Sequence, residues 1–278
     1  MKKNWLTNKV VVITGANGGL GFAIAKILIE KFNCTIYGIA RNEQKFISAK
    51  ESLGKNKDSF FYNVFDVSSL SDWENYLETL NKNGIFPDVL INNAGMMLSF
   101  ARLDKINTLD LDKIIKTNLY STIYGSKTLI NSLLQSKTPA IINVSSSAGN
   151  CAVVGQSLYT ATKFGVKGFT QALQQEYKGK IYIAGVYPGF IKTNIMANQK
   201  MSNKSKSLVD KVSMDVNKAS KIIVKKISKK KKFICTGIDG KFMTYFGKIF
   251  PNFTASIIRK VLKSSKLDLF NQVFDWEL

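Results

Sequence analysis

Val10-Val11-Val12-Ile13-Thr14-Gly15-Ala16-Asn17-Gly18-Gly19-Leu20-Gly21 is the stretch that decides the fold. Its first five residues are mostly β-branched, which predicts a short buried strand. The glycines behind them permit positive φ and let a ligand approach with no Cβ in the way. From Leu20 to Phe32 the apolar residues Leu20, Ile24, Ile27 and Leu28 recur at helical spacing. A strand, a glycine turn and a helix in that order put unpaired N–H groups and a positive dipole end beside the turn. Such a place suits a pyrophosphate. The spacing is G-x-x-x-G-x-G through Gly15, Gly19 and Gly21. It is neither the G-x-G-x-x-G fingerprint nor a P-loop, which ends in Gly-Lys-Ser/Thr. A tight structural turn is the other reading of the same residues.

Outward from this stretch, strand-like and helix-like segments alternate. Thr35 to Ala40, Phe60 to Phe65, Val89 to Asn92, Ala140 to Val144, Ile181 to Val186 and Phe233 to Cys235 read as further strands. Helices are expected over Asn42 to Leu53 (capped by Asn42), from Ser71 with Glu74 in a capping box, over Leu109 to Leu134, and over Leu158 to Tyr177. This alternation implies an α/β fold: one doubly wound domain with a parallel sheet covered by helices on both faces. Ligands of such sheets gather outside the carboxyl ends of the strands. Gly15 to Gly21, Asp66, Asn92-Asn93-Ala94-Gly95, Ser146 and Pro188-Gly189 all fall on that edge.

Composition narrows the function. The chain has 278 residues and no histidine, which excludes His-ligated metals and His-based triads. Cys34, Cys151 and Cys235 lack metal-ligand spacing and read as reduced thiols. No metal is expected. No apolar run is long enough to span a bilayer or to form a signal-peptide core, so a cytoplasmic protein is expected. The formal net charge of +21 is carried largely by lysine, with clusters after residue 199 such as Lys225-Lys226 and Lys229 to Lys232. Solvated surface lysines account for it, and so does an anionic partner, either membrane or nucleic acid. Arginine occurs only at Arg41, Arg102 and Arg259, which speaks against sequence-specific DNA readout.

Chemistry is suggested by Tyr159 and Lys163, four residues apart on one helical face, with Ser146 thirteen residues before the tyrosine. A phenol of pKa ~10 exchanges protons poorly at neutral pH. A nearby ammonium stabilises phenolate and is expected to lower that value. Tyr159 can then protonate a carbonyl oxygen or deprotonate an alcohol, with Ser146 hydrogen-bonded to the same oxygen. Arg41 follows the second strand, where an acidic residue would bind the 2′-hydroxyl of NAD. A cation there suits a 2′-phosphate instead. Asp66 fits either the adenine edge or a turn cap.

Taken together, Thr14-Gly15-x-x-x-Gly19-x-Gly21, Asn92-Asn93-Ala94-Gly95, Asn118, Ser146, Tyr159-x-x-x-Lys163 and Pro188-Gly189 with Thr193 resemble the short-chain dehydrogenase/reductase family over residues 8 to 195. The resemblance implies a seven-stranded sheet and an NAD(P)-dependent oxidoreductase. It implies Tyr159 as acid/base, Lys163 on the nicotinamide ribose, Ser146 on the substrate, and Asn118 holding a water that relays protons to Lys163. Cofactor contacts are implied for Gly15, Asn17, Gly18, Gly19, Leu20 and Gly21 in the turn, and for Asn92, Ala94 and Gly95 after the fourth strand. They are implied also for Asp66 and Val67 at the adenine, and for Pro188, Gly189, Ile191 and Thr193, the last two at the carboxamide. Arg41 matches the basic position of NADP-preferring members. Gly18 departs from members with a second basic residue in the turn, so the 2′-phosphate is expected to have one strong anchor. NADP(H) is the expected cofactor, with NAD(H) possible, and the assembly implied is a homodimer or homotetramer.

Beyond Thr193 the pattern weakens. Residues 195 to 214 are polar and loop-like, which fits a substrate lid. Residues 236 to 278 form a C-terminal extension in which apolar and aromatic residues alternate with lysines at helical spacing. It can pack on its own subunit, cover a hydrophobic substrate, lie on an anionic membrane surface or enter a dimer interface. The function expected is reversible reduction of a hydrophobic ketone or aldehyde. A non-catalytic dinucleotide-binding sensor or scaffold of the same fold is the alternative.

Overall fold

The computed structural model describes residues 4–196, 199 and 201–275. The strands are β1 (Val10–Thr14), β2 (Thr35–Ala40), β3 (Phe60–Val64), β4 (Val89–Asn92), β5 (Ala140–Val144), β6 (Tyr182–Pro188) and β7 (Phe233–Thr236). They form one parallel sheet in the order β3-β2-β1-β4-β5-β6-β7. The helices are α1 (Gly19–Phe32), α2 (Glu43–Glu51), α3 (Leu70–Lys82), α4 (Thr108–Ile115), α5 (Ser121–Leu133) and α6 (Ser157–Glu176). They continue as α7 (Asn203–Val212), α8 (Val216–Ser228), α9 (Ile238–Ile249), α10 (Pro251–Ser264) and α11 (Asn271–Phe274). Strand order reverses between β1 and β4, so a crevice opens at the carboxyl ends of those two strands.

Side chains alternate across a strand. Val11, Ile13, Ile91, Ile142 and Val186 therefore face one side, against Ile24 and Leu28 of α1 and Ile223 and Ile227 of α8. Val12, Leu90, Ile141 and Ile183 face the other, against Trp73 and Leu80 of α3, Leu129 and Leu133 of α5 and Leu173 of α6. Both faces are apolar, which is why the central strands read as unbroken apolar runs. Each fully buried aliphatic or aromatic side chain contributes roughly 1.5–3 kcal/mol, so the sheet is a stiff platform for its edge.

Several local expectations change. The cap of α3 is Ser69, whose hydroxyl accepts from Asp72 N, so the capping box at Ser71 and Glu74 does not form. The expected helix over 109–134 is interrupted by a π-helical turn, Lys116–Tyr120, between α4 and α5. Within the polar segment 195–214, α7 is a helix capped by Ser202. Asp268 holds that cap, accepting from Ser202 N at 2.7 Å and from the Ser202 and Ser205 hydroxyls.

The C-terminal extension is helical and packs on its own subunit. Gly240, Met243, Thr244 and Gly247 of α9 are buried, and Asn150 Nδ2 donates to Thr244 Oγ1 at 3.1 Å. Leu269, Phe270, Val273 and Phe274 return to the carboxyl edge of the sheet and join a third cluster with Met97, Phe100 and Tyr159. The Phe100 and Phe270 rings meet edge to face, 4.9 Å between centroids. Among the described residues, no helix is long and apolar enough to cross a membrane.

Candidate active site

The glycine turn is held by its neighbour. Thr14 Oγ1 accepts from the backbone N–H groups of Asn93 and Ala94, both at 2.9 Å, and Asn93 Nδ2 donates to Thr14 O at 2.9 Å. The loops after β1 and β4 are thereby locked together. Gly15 lies at φ 68°, and a Cβ on Gly21 would stand 2.3 Å from Gly15 O. Only glycine at position 21 lets α1 start this close to the turn. Gly18 occupies the cap position with no side-chain hydrogen bond to the first N–H groups of α1. A glycine-rich turn, ending on open helix donors, fits the pyrophosphate of a dinucleotide.

From this turn a cavity of about 400 Å³ runs along the sheet edge to Tyr159. Of the expected residues, Gly15, Asn17, Gly18, Gly19, Leu20, Ala94, Gly95, Ser146, Tyr159, Lys163, Pro188, Gly189, Ile191 and Thr193 line it. Gly21 shapes the turn from behind. Arg41 and Asp66 stand outside its wall, paired with each other at 3.7 Å and both substantially exposed. Asp66 also accepts from Ser68 N and Oγ, so its turn-capping role is realised. Val67 is buried, and its carbonyl accepts from Trp73 Nε1 at 3.0 Å.

Asn92 does not line the cavity, contrary to expectation. Its side chain points into the interior, where Nδ2 donates to Asn143 Oδ1 at 2.9 Å and Ser126 Oγ at 3.1 Å. A buried amide must find partners, and here they lie on β5 and α5. The chain supplies Lys45 instead, which lines the cavity near Asn17. Lys45 was not anticipated because it reads as one surface lysine among many. Its position at the third residue after the Asn42 cap was the available signal.

At the far end, Ser146 stands just past β5, its Oγ accepting from Ala148 N at 3.1 Å. Ser146 is also hydrogen-bonded to the Tyr159 phenol. Burial raises the phenol pKa and this hydrogen bond lowers it, burial being the larger effect. The net direction is thus upward, opposite to the lowering expected from Lys163. The ammonium lies 5.7 Å from the Tyr159 ring centroid and donates to Val144 O at 3.2 Å. Burial brings the Lys163 pKa down to about 8.

Asn118 sits in the π-helical turn and is fully buried. Its Oδ1 accepts from Met96 N at 2.7 Å, while Nδ2 donates to Met96 O at 2.9 Å and Thr162 Oγ1 at 3.2 Å. These bonds pin the loop after β4 to α6. A Cβ on Gly95 would stand 3.3 Å from both Asn118 Oδ1 and Lys163 Nζ, so this loop passes directly over the lysine. The remaining wall is mostly apolar, with Met97, Phe100, Val153, Ile195, Met196, Met243, Ile258 and Leu262 beside the polar Ser145, Ser147 and Gln156. Several of these come from α9 and α10, far along the chain.

A glycine turn of a shape that suits a dinucleotide and a phenol–hydroxyl–ammonium group thus line one cavity. The family model for short chain dehydrogenase matches residues 9–204, and the chain belongs to that family of nicotinamide-dinucleotide oxidoreductases. Among curated relatives, it is 35% identical over 191 residues to the 3-oxoacyl-[acyl-carrier-protein] reductase FabG of Vibrio harveyi, covering 68% of this chain and 76% of the relative. It is 32% identical over 203 residues to the enzyme of that name from Buchnera aphidicola, covering 73% and 81%. Among solved structures, an actinorhodin polyketide ketoreductase with NADPH superimposes with a TM-score of 0.75 at 22% identity, covering 86% of this chain and 98% of that one.

Proposed function

We propose that this chain catalyses the reversible NADPH-dependent reduction of a hydrophobic ketone or aldehyde, with Tyr159 as general acid in reduction and general base in oxidation. The observation that carries this reading is the convergence of Tyr159, Ser146 and Lys163 in the cavity that begins at the glycine turn. When bound, the nicotinamide supplies the hydride. Ser146 and Tyr159 hold the substrate oxygen between two hydroxyls. The Tyr159 proton moves to that oxygen as negative charge develops on it. Lys163 stabilises the phenolate left behind, and burial strengthens that attraction by excluding water. Asn118 positions Lys163 and Tyr159 by tying the loop after β4 to Thr162.

The preference for NADPH rests on Arg41 and Lys45. Among the described residues, Arg41 is held by an exposed ion pair to Asp66, worth at most ~1 kcal/mol, which a 2′-phosphate can displace. Lys45, at the cavity wall, gives that phosphate a second cation. The apolar far wall favours a hydrocarbon chain next to the carbonyl. The names of the 3-oxoacyl reductases point to the same class, a carbonyl on an acyl chain. A screen of ketones, aldehydes and 3-oxoacyl thioesters, followed by NADPH and NADH consumption at 340 nm, tests the proposal. Turnover that rises with acyl length supports it. A protein that binds NADPH but turns over no carbonyl is a sensor or scaffold instead.

A further inference from the structure

Helix α9 is apolar on two opposite faces. One is the buried face already described. On the other, Ile238, Phe242, Tyr245 and Ile249 recur at steps of three and four residues and form a stripe exposed to solvent. Ile238 is 89% exposed and Ile249 70%. Phe246, Phe250 and Phe253 widen the stripe into the start of α10. An exposed apolar patch of this kind marks an interaction surface.

We propose that this face docks the enzyme on an anionic lipid bilayer. Charge complementarity selects the occupant. Between residues 238 and 266 the chain carries six cations, Lys241, Lys248, Arg259, Lys260, Lys263 and Lys266, against one carboxylate, Asp239. That carboxylate is turned inward and accepts from Phe190 N at 2.7 Å. Among the described residues no acidic side chain forms an ion pair with Lys241 or Lys248. Lys248 also stands near enough to Lys167 on α6 for the two cations to repel. Phosphate headgroups would relieve this, whereas a second copy on a two-fold axis would bring the same cations face to face. Aromatic side chains with lysines beside them are the composition of a helix lying in the lipid interface. Met243, Ile258 and Leu262 of α9 and α10 line the cavity, so the proposed lipid contact and the cavity wall are built on the same two helices. An apolar substrate therefore has a short path from the bilayer to Tyr159. This last statement, and not the docking itself, rests on the proposed reductase function.

Co-sedimentation of the full chain with vesicles tests the docking. Vesicles of phosphatidylcholine with one-third phosphatidylserine are compared with pure phosphatidylcholine, at low and high salt. Phe246→Glu/Phe250→Glu and Lys241→Glu/Lys248→Glu are the variants, and NADPH binding is the check on folding. The expected result is binding to phosphatidylserine vesicles that falls at least tenfold in either variant and in high salt, with NADPH affinity unchanged. A wild type that stays in the supernatant at low salt overturns the proposal. So does a phenylalanine variant that binds lipid like wild type, or one whose only change is loss of a dimer in sedimentation velocity. A vesicle-bound protein with no carbonyl turnover leaves the docking standing and refutes the reductase.

Discussion

Replacing Lys163 by methionine separates stability from catalysis. The ammonium is buried and its pKa falls from an ordinary 10.5 to about 8. A gap of that size means the fold carries about 3 kcal/mol of unfavourable desolvation at pH 7, at about 1.4 kcal/mol for each tenfold change. Methionine removes the charge at similar length. It also removes the donor to Val144 O, and a hydrogen bond from a charged group is worth roughly 1.5–3 kcal/mol. At pH 7 the two effects nearly cancel, so the stability of the variant alone decides little. Its pH dependence decides. The folded pKa lies below the unfolded one, so between about 8 and 10.5 the unfolded chain binds more protons. Wild-type stability therefore rises through that window relative to the variant. Integrated from pH 7.5 to 9.5, the relative gain is about 2 kcal/mol. Urea unfolding of both proteins at these two pH values measures it, because other titrating groups cancel in the difference. A difference that does not change with pH would refute the claim that a buried ammonium sits at this site.

Three further outcomes are expected. For carbonyl reduction, kcat/KM falls above pH about 8 as Lys163 loses its proton, which a pH profile with a soluble aldehyde checks. Arg41→Ala and Lys45→Ala each weaken NADPH by about tenfold and NADH by much less, as one lost charged contact implies; fluorescence titration with both cofactors reads the ratio. Gly21→Ala places a Cβ 2.3 Å from Gly15 O and destabilises the protein by about 1–3 kcal/mol. In thermal unfolding it is compared with Gly18→Ala, where nothing stands within 4 Å of the new Cβ.

The sheet was readable because its strands are short runs rich in β-branched and aromatic residues, followed by polar or glycine-containing turns. The helices between were readable from apolar spacing. The π-helical turn at Lys116–Tyr120 was not, since one extra residue per turn barely disturbs the apolar pattern of residues 109 to 134. Helix α7 escaped because Asn203–Val212 is mostly polar and depends on Asp268, sixty-odd residues further on, for its cap. Pattern showed that Tyr159 and Lys163 share a helical face. It could not show that burial outweighs the hydrogen bond from Ser146 and raises the phenol pKa. Asn92 misled for a related reason. It stands at the strand end where ligands gather, yet the pleat turns its side chain toward Asn143 rather than the cavity. Phe100, Met243 and Leu262 meet across the cavity only through the tertiary path of the C-terminal helices.

Tyr159→Phe tests the central claim most directly, with NADPH affinity and turnover measured on the same preparation. Loss of one phenolic hydroxyl leaves the glycine turn and the apolar wall in place. The account predicts a fall in turnover of at least a thousandfold, within the roughly 10²–10⁴ attributed to a positioned acid, with NADPH binding close to wild type. Turnover at the wild-type rate would contradict it, because the proton would then come from some other group.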